Sequence, residues 1–408
     1  MHETAPGGAP PLRSGRMLLL GYGLGAAIEP AAGPISGPLG AVLDIPGVLA
    51  HDCVADRWSR FGDAPDLPDP PGPPASFRAG PLQSTPERDG YLGMVQQGLD
   101  AIAAGDVYQV NLAHRLSAAF EGSPRAFFAA LARLAQPLHG AYAEVGGAMA
   151  ATAGEPEAHA REDGPGHPSL TLRARQDTGC HDSPSSAKSY LSQSTAAPRT
   201  ASSGTQANFL AVCSASPELF LRYDASTRRV TTRPMKGTRP ISADPEELRH
   251  AAKDRAELNM ITDLMRNDLG RVCEFGSVRV DAPRSIEAHA QSVLQATSTV
   301  SGALRPGLSH TDLIRATFPP GSVTGTPKIR AMQLIDELEP TPRGLYCGAI
   351  GWLDDSGDME LNVAIRTAVV EGGQLHYHAG AGIVADSDPE TEWAETLDKA
   401  EVLRRTIH

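Results

Sequence analysis

Two residues eighteen positions apart carry chemistry that neither does alone: Glu218 in Ser216-Pro217-Glu218, and Lys236 in Thr232-Arg233-Pro234-Met235-Lys236-Gly237-Thr238-Arg239-Pro240. An amine paired with a carboxyl group suggests a lysine nucleophile working beside a general acid. Taken by itself, a lysine in a loop flanked by proline and glycine reads as a solvated surface charge. To attack, the amine must be neutral, a state that burial or the nearby cations Arg233 and Arg239 would favour by disfavouring the charged form.

Other residues of the same kind follow. Pro320-Gly321-Ser322-Val323-Thr324-Gly325-Thr326-Pro327-Lys328 is a Gly-rich loop whose backbone N–H groups could hold an anion, with Lys328 as counter-charge. Its spacing is not that of a P-loop. Asn362-Val363-Ala364-Ile365-Arg366-Thr367 reads as an apolar strand, and alternation along it makes Arg366 a candidate inward guanidinium, which requires a carboxylate to meet it. His378-Ala379-Gly380-Ala381-Gly382-Ile383-Val384 reads as a second turn of backbone donors. Either Gly-rich run alone is more often only a tight turn.

Acidic residues complete the set. Asp254 and Glu257 stand three apart, and Glu392, Glu395 and Lys399 fall at i, i+3 and i+7, so each group shares one face of a helix. Each also fits a solvated face with i,i+4 charge partners such as Glu395 and Lys399. Taken together, the backbone donors, cations and carboxylate pairs describe a site for a small polyanion and a hard divalent ion. Mg2+ suits carboxylate ligation and retains waters or substrate oxygens. The expectation is a Mg-dependent enzyme acting on a carboxylate substrate that composition and spacing do not name.

Helices and strands must position these groups. Asp244-Pro245 predicts a helix running to about Gly270, and Asp388-Pro389 predicts the helix of Glu392 and Glu395. Thr85-Pro86 reads as an N-cap and first-turn proline for a helix with Tyr91, Met94, Val95, Leu99 and Ile102 on its buried face, ending at Gly105. Tyr108, Val110 and Leu112 alternate with Gln109, Asn111 and Ala113, the period of a half-buried strand.

Two stretches break this texture. Residues 62–86 are proline-dense and predict an extended linker after a short N-terminal piece, residues 1–61. Residues 151–207 are rich in Ser, Thr, Pro, Ala and Gly and predict a disordered insertion into the main body, residues 87–408.

Composition narrows the partners. The 408 residues are 41% hydrophobic, enough for a sizeable core, and carry a net charge of -12. That charge argues against nucleic acid and against an anionic membrane surface, since a polyanion binder needs clustered Lys and Arg. Five cysteines without a Cys-x-x-Cys pair indicate neither a disulfide framework nor a zinc site and fit a reducing cytoplasm. Arg13 and Arg16 before Met17-Leu18-Leu19-Leu20 superficially suggest a leader, but glycines and a tyrosine interrupt the run, and no apolar stretch approaches the ~20 residues of a membrane helix.

Six ordered blocks point to a family. Gly105-Asp106-Val107-Tyr108-Gln109-Val110-Asn111-Leu112, Ser214-Ala215-Ser216-Pro217-Glu218 and the Pro-Met-Lys-Gly-Thr-Arg-Pro run are three of them. Lys253-Asp254-Arg255-Ala256-Glu257 leading to Asp263-Leu264-Met265-Arg266-Asn267-Asp268, Gly325-Thr326-Pro327-Lys328-Ile329-Arg330-Ala331-Met332, and Gly380-Ala381-Gly382-Ile383-Val384-Ala385-Asp386-Ser387 are the others. Over residues 88–150 and 208–408 the chain resembles the chorismate-utilising enzymes, and most closely the branch that aminates chorismate to 4-amino-4-deoxychorismate.

The resemblance implies one large α+β domain, with two stacked antiparallel sheets surrounded by helices. It implies that Glu257 and Glu395 ligate Mg2+, assisted through water by Asp254 and Glu392, and that the metal holds the ring carboxylate. Arg366, Tyr346, Lys399 and the Gly380, Ala381 and Gly382 amides resemble the chorismate-binding set, with Thr238 and Ser322 also lining the pocket. Glu218 resembles the acid that protonates the departing C4 hydroxyl. Lys236 stands where anthranilate and isochorismate synthases carry a small residue, and is expected to attack C2 before ammonia adds at C4.

Three departures qualify the match. Gln295 replaces the histidine that assists pyruvate elimination in anthranilate synthases, a step that an enzyme retaining the enolpyruvyl group does not need. Leu258-Asn259 reverses the usual order after the metal glutamate. Of the N-terminal region, only residues 17–60 resemble the family, in its latter half. No Gly-x-Cys-x-Gly elbow is present, so ammonia is expected from a separate glutamine amidotransferase subunit. The alternatives are an anthranilate synthase component I and a truncated, catalytically weak paralogue that only binds the amidotransferase.

Overall fold

The computed structural model describes residues 14–32, 40–45, 47–52, 57–62, 75–146, 209–289 and 293–408. Two antiparallel sheets organise them. The first runs in the order Met235–Pro240, Val293–Ala303, Arg229–Arg233, Leu219–Asp224, Met359–Val363, Ala349–Asp354, Gly15–Leu20 and Gly40–Ile45, with Arg279–His289 on the other edge of Val293–Ala303. The second runs Gly325–Thr326, Gln109–Gly122, Gln374–Ile383, Thr367–Glu371, Phe209–Ser216 and His139–Gly146. A separate hairpin pairs Gly47–Asp52 with Arg57–Gly62.

The sheets stack because alternate residues of their strands are apolar on both faces. Leu19 and Ile350 of the first sheet pack on Ala143 and Val212 of the second. Leu18 and Leu20 point the other way, into a core shared with Ile261, Met265, Ala331 and Met332 of the covering helices. On the far side of the second sheet, Phe127 and Leu131 of helix Pro124–Ala135 and Leu403 of helix Glu401–Ile407 close a further core. The expected α+β architecture of stacked antiparallel sheets and surrounding helices is the one observed. No described helix is long and apolar enough to cross a membrane.

Several local expectations are corrected. Gly15–Leu20 pairs with both Ala349–Asp354 and Gly40–Ile45, so these two strands of the N-terminal piece are built into the first sheet of the main body. In the proline-dense stretch, Phe77–Ala79 and Gln83–Thr85 are strands on Gln109–Gly122, while residues 63–74 and the whole 151–207 insertion lie outside the described residues. Thr85 therefore ends a strand rather than capping a helix, and the helix is Arg88–Ala103 with Glu87 at its N-cap. The helix begun by Asp244 stops at His250, because Ala251 is extended (ψ 107°) and Arg284 takes the Leu248 carbonyl; a second helix, Ala252–Gly270, carries Asp254 and Glu257. In strand Gln109–Gly122 the polar members are buried too: Gln109 is 2% and Asn111 6% exposed, whereas Tyr108 before the strand is 72% exposed. Both faces of that strand end are covered, so polarity did not mark a solvent side.

Candidate active site

Lys236 owes its position to a break and a bulge. Arg229–Arg233 and Met235–Pro240 lie along one edge of Val293–Ala303, separated by Pro234, which has no N–H to donate but accepts from Ser298 N at 3.0 Å. Met235 then faces Thr297 and Thr238 faces Gln295, three residues against two. The extra residue is accommodated by Gly237 at φ +83°, where a Cβ would lie 2.8 Å from Leu248 Cδ1 and 2.9 Å from Asp254 Cγ. From within the bulge the Lys236 amine reaches helix Ala252–Gly270, with Nζ 3.1 Å from Glu257 Oε2.

Glu218 and Arg366 sit where the chain changes sheets. Phe209–Ser216 belongs to the second sheet and Leu219–Asp224 to the first, so Pro217-Glu218 is the crossing between them. Val363 ends a strand of the first sheet and Thr367 begins one of the second, so Ala364, Ile365 and Arg366 form a return crossing beside it. Val363 N donates to the Glu218 carbonyl at 3.0 Å, Ala215 N donates to the Arg366 carbonyl at 3.0 Å, and Ser216 Oγ donates to the Val363 carbonyl at 2.6 Å. The expected strand position of Arg366 is thus corrected: it lies in the crossing, with φ +50°.

Charge converges on Glu218. Burial pushes its carboxyl up to about 7, and the Ser322 hydrogen bond together with the charges of Lys236, Lys399 and Arg366 limits the rise. A carboxyl group near 7 is available as an acid at neutral pH. For Lys236, burial is the largest influence and works against the charge, but the Glu257, Glu395 and Glu392 carboxylates outweigh it and hold its pKa above the ordinary lysine range. The expected help from Arg233 and Arg239 is not what the structure provides, since Arg233 pairs with Glu287 and Arg239 with Asp254 at 2.9 Å.

The Gly380-Ala381-Gly382 segment is a strand, not a turn. It pairs with Ala113, Leu112 and Asn111, and among the described residues its other edge has no strand neighbour beyond Tyr377. Its glycines make room: a Cβ at 380 would lie 2.8 Å from Tyr346 Oη, and one at 382 would lie 2.6 Å from Lys236 Nζ and 2.8 Å from Gln109 Nε2. Lys399 Nζ donates to the Gly380 carbonyl at 2.8 Å and pairs with Glu395 Oε1 at 2.6 Å. Asp388 caps that helix, accepting from Thr391 N at 2.9 Å, and buried Glu392 accepts from Ser387 Oγ at 2.6 Å.

Lys236, Glu218, Ser322, Arg366, Lys399, Glu257 and Glu395 are thereby brought into one neighbourhood, beside Tyr346 and the Gly380 to Gly382 strand. Lys328 is not part of it. Its Nζ is bound to Asp268 Oδ2 at 2.6 Å and to the Thr317 carbonyl at 2.9 Å, so it serves the fold rather than an anion. Thr238 lies in the bulged strand opposite Gln295. Sequence reading passed over Gln109, whose alternation with apolar neighbours hid its burial, and the ion pair Glu339–Arg343, whose i,i+4 spacing looks like an exposed helix pair.

A metal fits this donor set in one mode only. Among the described residues, no three His, Cys, Asp or Glu side chains are gathered to hold an ion by themselves. Glu257 and Glu395 each face an ammonium, and Asp254 and Glu392 are turned to Arg239 and Ser387. Magnesium held by one or two carboxylates, with waters and substrate oxygens completing its shell, needs no more than that.

Known proteins resemble the chain in sequence and in fold. The profile of the chorismate binding enzymes matches residues 47–157 and 171–405. The chain is 36% identical over 335 residues to the aminodeoxychorismate synthase of Streptomyces griseus, covering 80% of this chain and 38% of that protein. It is 48% identical over 196 residues to aminodeoxychorismate synthase component 1 of Escherichia coli, covering 46% of this chain and 43% of that protein. The chain thus spans about two fifths of these curated relatives. Among solved structures, anthranilate synthase component I from Streptococcus pneumoniae superposes with a TM-score of 0.68 at 26% identity, over 96% of this chain and 80% of that one.

Proposed function

We propose that this chain, which belongs to the family of chorismate-binding enzymes, is the synthase half of an aminodeoxychorismate synthase. With ammonia from a glutamine amidotransferase subunit it converts chorismate to 4-amino-4-deoxychorismate, on the route to para-aminobenzoate and folate. One observation carries this choice within the family: a largely buried lysine, Lys236, whose Nζ lies against Gly382 and within reach of Glu257. Lys236 is also one of the charges that act on the buried acid Glu218, as a bystander on the surface would not be.

In this reading Arg366, Lys399, Tyr346, Ser322 and the Gly380 to Gly382 strand bind chorismate, with Thr238 beside them. Glu257 and Glu395 would hold Mg2+, with Asp254 and Glu392 assisting through water, and the ion when bound supplies positive charge for the ring carboxylate. Once the Lys236 ammonium has passed its proton to water, its lone pair forms a bond to C2, both ring double bonds shift, and the C4 oxygen departs as water with the Glu218 proton. Ammonia then bonds to C4, both double bonds return, and the Lys236 amine leaves C2. The proton lost by the new ammonium goes to the Glu218 carboxylate, which restores the acid. The enolpyruvyl group is untouched, in keeping with Gln295 in place of a histidine.

The test is product analysis by mass spectrometry after incubating the purified protein with chorismate, Mg2+ and ammonium, with and without aminodeoxychorismate lyase. Aminodeoxychorismate that becomes para-aminobenzoate only with the lyase supports the proposal. Anthranilate would transfer the chain to the sister activity and leave Lys236 a bystander. Untouched chorismate from folded protein would favour a binding-only role.

A further inference from the structure

The buried ion pair Glu339–Arg343 lies outside the set that handles substrate, yet it joins three parts of the pocket wall. Glu339 Oε1 accepts from Ala113 N at 2.9 Å and from Arg343 Nη2 at 2.6 Å, and Glu339 Oε2 accepts from Arg343 Nε at 2.8 Å. Arg343 Nη2 also donates to the Asn111 carbonyl at 2.7 Å, and its Nη1 donates to the Val323 carbonyl at 3.0 Å.

The edge of strand Gln109–Gly122 explains why side chains are used there. Thr324 and Thr326 accept from Asn111 and Tyr108 at one end of that edge, and Gln83–Thr85 pairs with residues 115–117 at the other. Between them, Glu339 and Arg343 take the Ala113 N–H and the Asn111 carbonyl, so the pair substitutes for a missing length of strand. The guanidinium then lies 4.6 Å from the Tyr22 ring centre and 5.7 Å from that of Tyr346. The Tyr346 ring is stacked on His378 at 5.1 Å with an interplanar angle of 13°.

We propose that Arg343, anchored by Glu339, is a positioning residue for chorismate binding: it fixes the Tyr346 ring and the Ser322 turn relative to the Gly380 to Gly382 strand. The inference rests on the functional reading above for its ligand, but not for its geometry. A planar five-donor fork satisfies Glu339, Asn111 and Val323 at once, which an ammonium does not. Arg343→Lys therefore keeps a charge beside Glu339 while releasing part of the wall.

The experiment labels the protein with fluorotyrosine and follows the eight tyrosines by 19F NMR, the Tyr346 resonance being assigned with Tyr346→Phe. In Arg343→Lys the Tyr22 and Tyr346 resonances are displaced and the others stay. Chorismate affinity, measured by calorimetry with Mg2+ below the melting temperature of the variant, weakens by about tenfold, while kcat at saturation changes by less than about threefold. The neutral double variant Glu339→Gln/Arg343→Gln, as a second case, shows the same pattern. An undisplaced Tyr346 resonance overturns the inference, as does a displaced one with unchanged affinity. A wild-type protein that does not bind chorismate defeats the functional reading instead, and a Tyr346 resonance that still moves in Arg343→Lys then upholds the positioning.

Discussion

Lys236 Nζ and Glu257 Oε2 lie 3.1 Å apart, and both side chains are largely buried. The pair links the bulged strand to the helix of acidic residues, so the amine and a ligand-type carboxylate are held in register by the fold. Replacing Lys236 by alanine removes the group proposed to bond to C2 and leaves Arg366, Lys399 and Ser322 in place. We expect Lys236→Ala to slow amination on the order of 10²-fold or more while chorismate affinity changes far less. Single-turnover rates set beside equilibrium binding decide it, and unchanged amination removes the covalent role.

Glu218 sets a pH limb. Its folded pKa is raised from 4.5 to about 7 by burial, so the acid form is present below that value and lost above it. Because Lys236 must also lose its proton, the rate at saturating chorismate should rise with pH below about 7 and level off above it, and Glu218→Gln should lose about 10²–10⁴-fold and remove that break. Stability gives an independent readout. The unfolded carboxyl releases its proton near 4.5 while the folded one keeps it to about 7, so stability falls with rising pH across that window, by roughly 3 kcal/mol at full shift. Urea melts of the wild type at pH 5 and pH 8 should show this loss, and Glu218→Gln should not.

How far the sequence foretold this site depends on the range of the interaction that fixes each residue. Asp388 and Pro389 cap and start a helix through contacts a few residues long, so Glu392, Glu395 and Lys399 were placed on it correctly. Arg366 was not, because an apolar run from Val363 to Ile365 reads the same in a strand as in a crossing between two buried sheets. Gly380 and Gly382 looked like a turn, but their missing Cβ atoms are explained by Tyr346, Lys236 and Gln109, which arrive from other elements. Lys328 found its partner Asp268 sixty residues upstream, a distance at which spacing carries no signal.

Glu339 and Arg343 are 4% and 2% exposed at their side chains. Burial opposes the guanidinium charge, but Glu339 holds the Arg343 pKa well above the ordinary arginine range. Taking away one partner leaves an uncompensated buried charge, so Glu339→Gln should destabilise the protein by about 3–5 kcal/mol. The double variant Glu339→Gln/Arg343→Gln buries no charge and should lose less than the sum of the single changes. Chemical denaturation of Glu339→Gln, Arg343→Gln and the double variant measures the coupling, and strict additivity would show that the pair does not act as a unit.

Gly380 and Gly382 separate packing from chemistry on one strand. A Cβ at 382 meets the far ends of two flexible side chains, Lys236 Nζ at 2.6 Å and Gln109 Nε2 at 2.8 Å, and these can give way without moving the backbone. A Cβ at 380 meets the Leu112 carbonyl oxygen at 2.8 Å as well as Tyr346 Oη at 2.8 Å, and a paired strand cannot retreat from its own neighbour. Gly382→Ala should therefore fold with nearly native stability but displace the Lys236 amine, losing amination while its melting point stays within a few degrees. Gly380→Ala should instead lose about 1–3 kcal/mol of stability by overpacking. Thermal melts and amination rates of the two proteins, taken side by side, test the distinction: a Gly382→Ala enzyme of full activity would mean that the Lys236 amine does not need the space above Gly382.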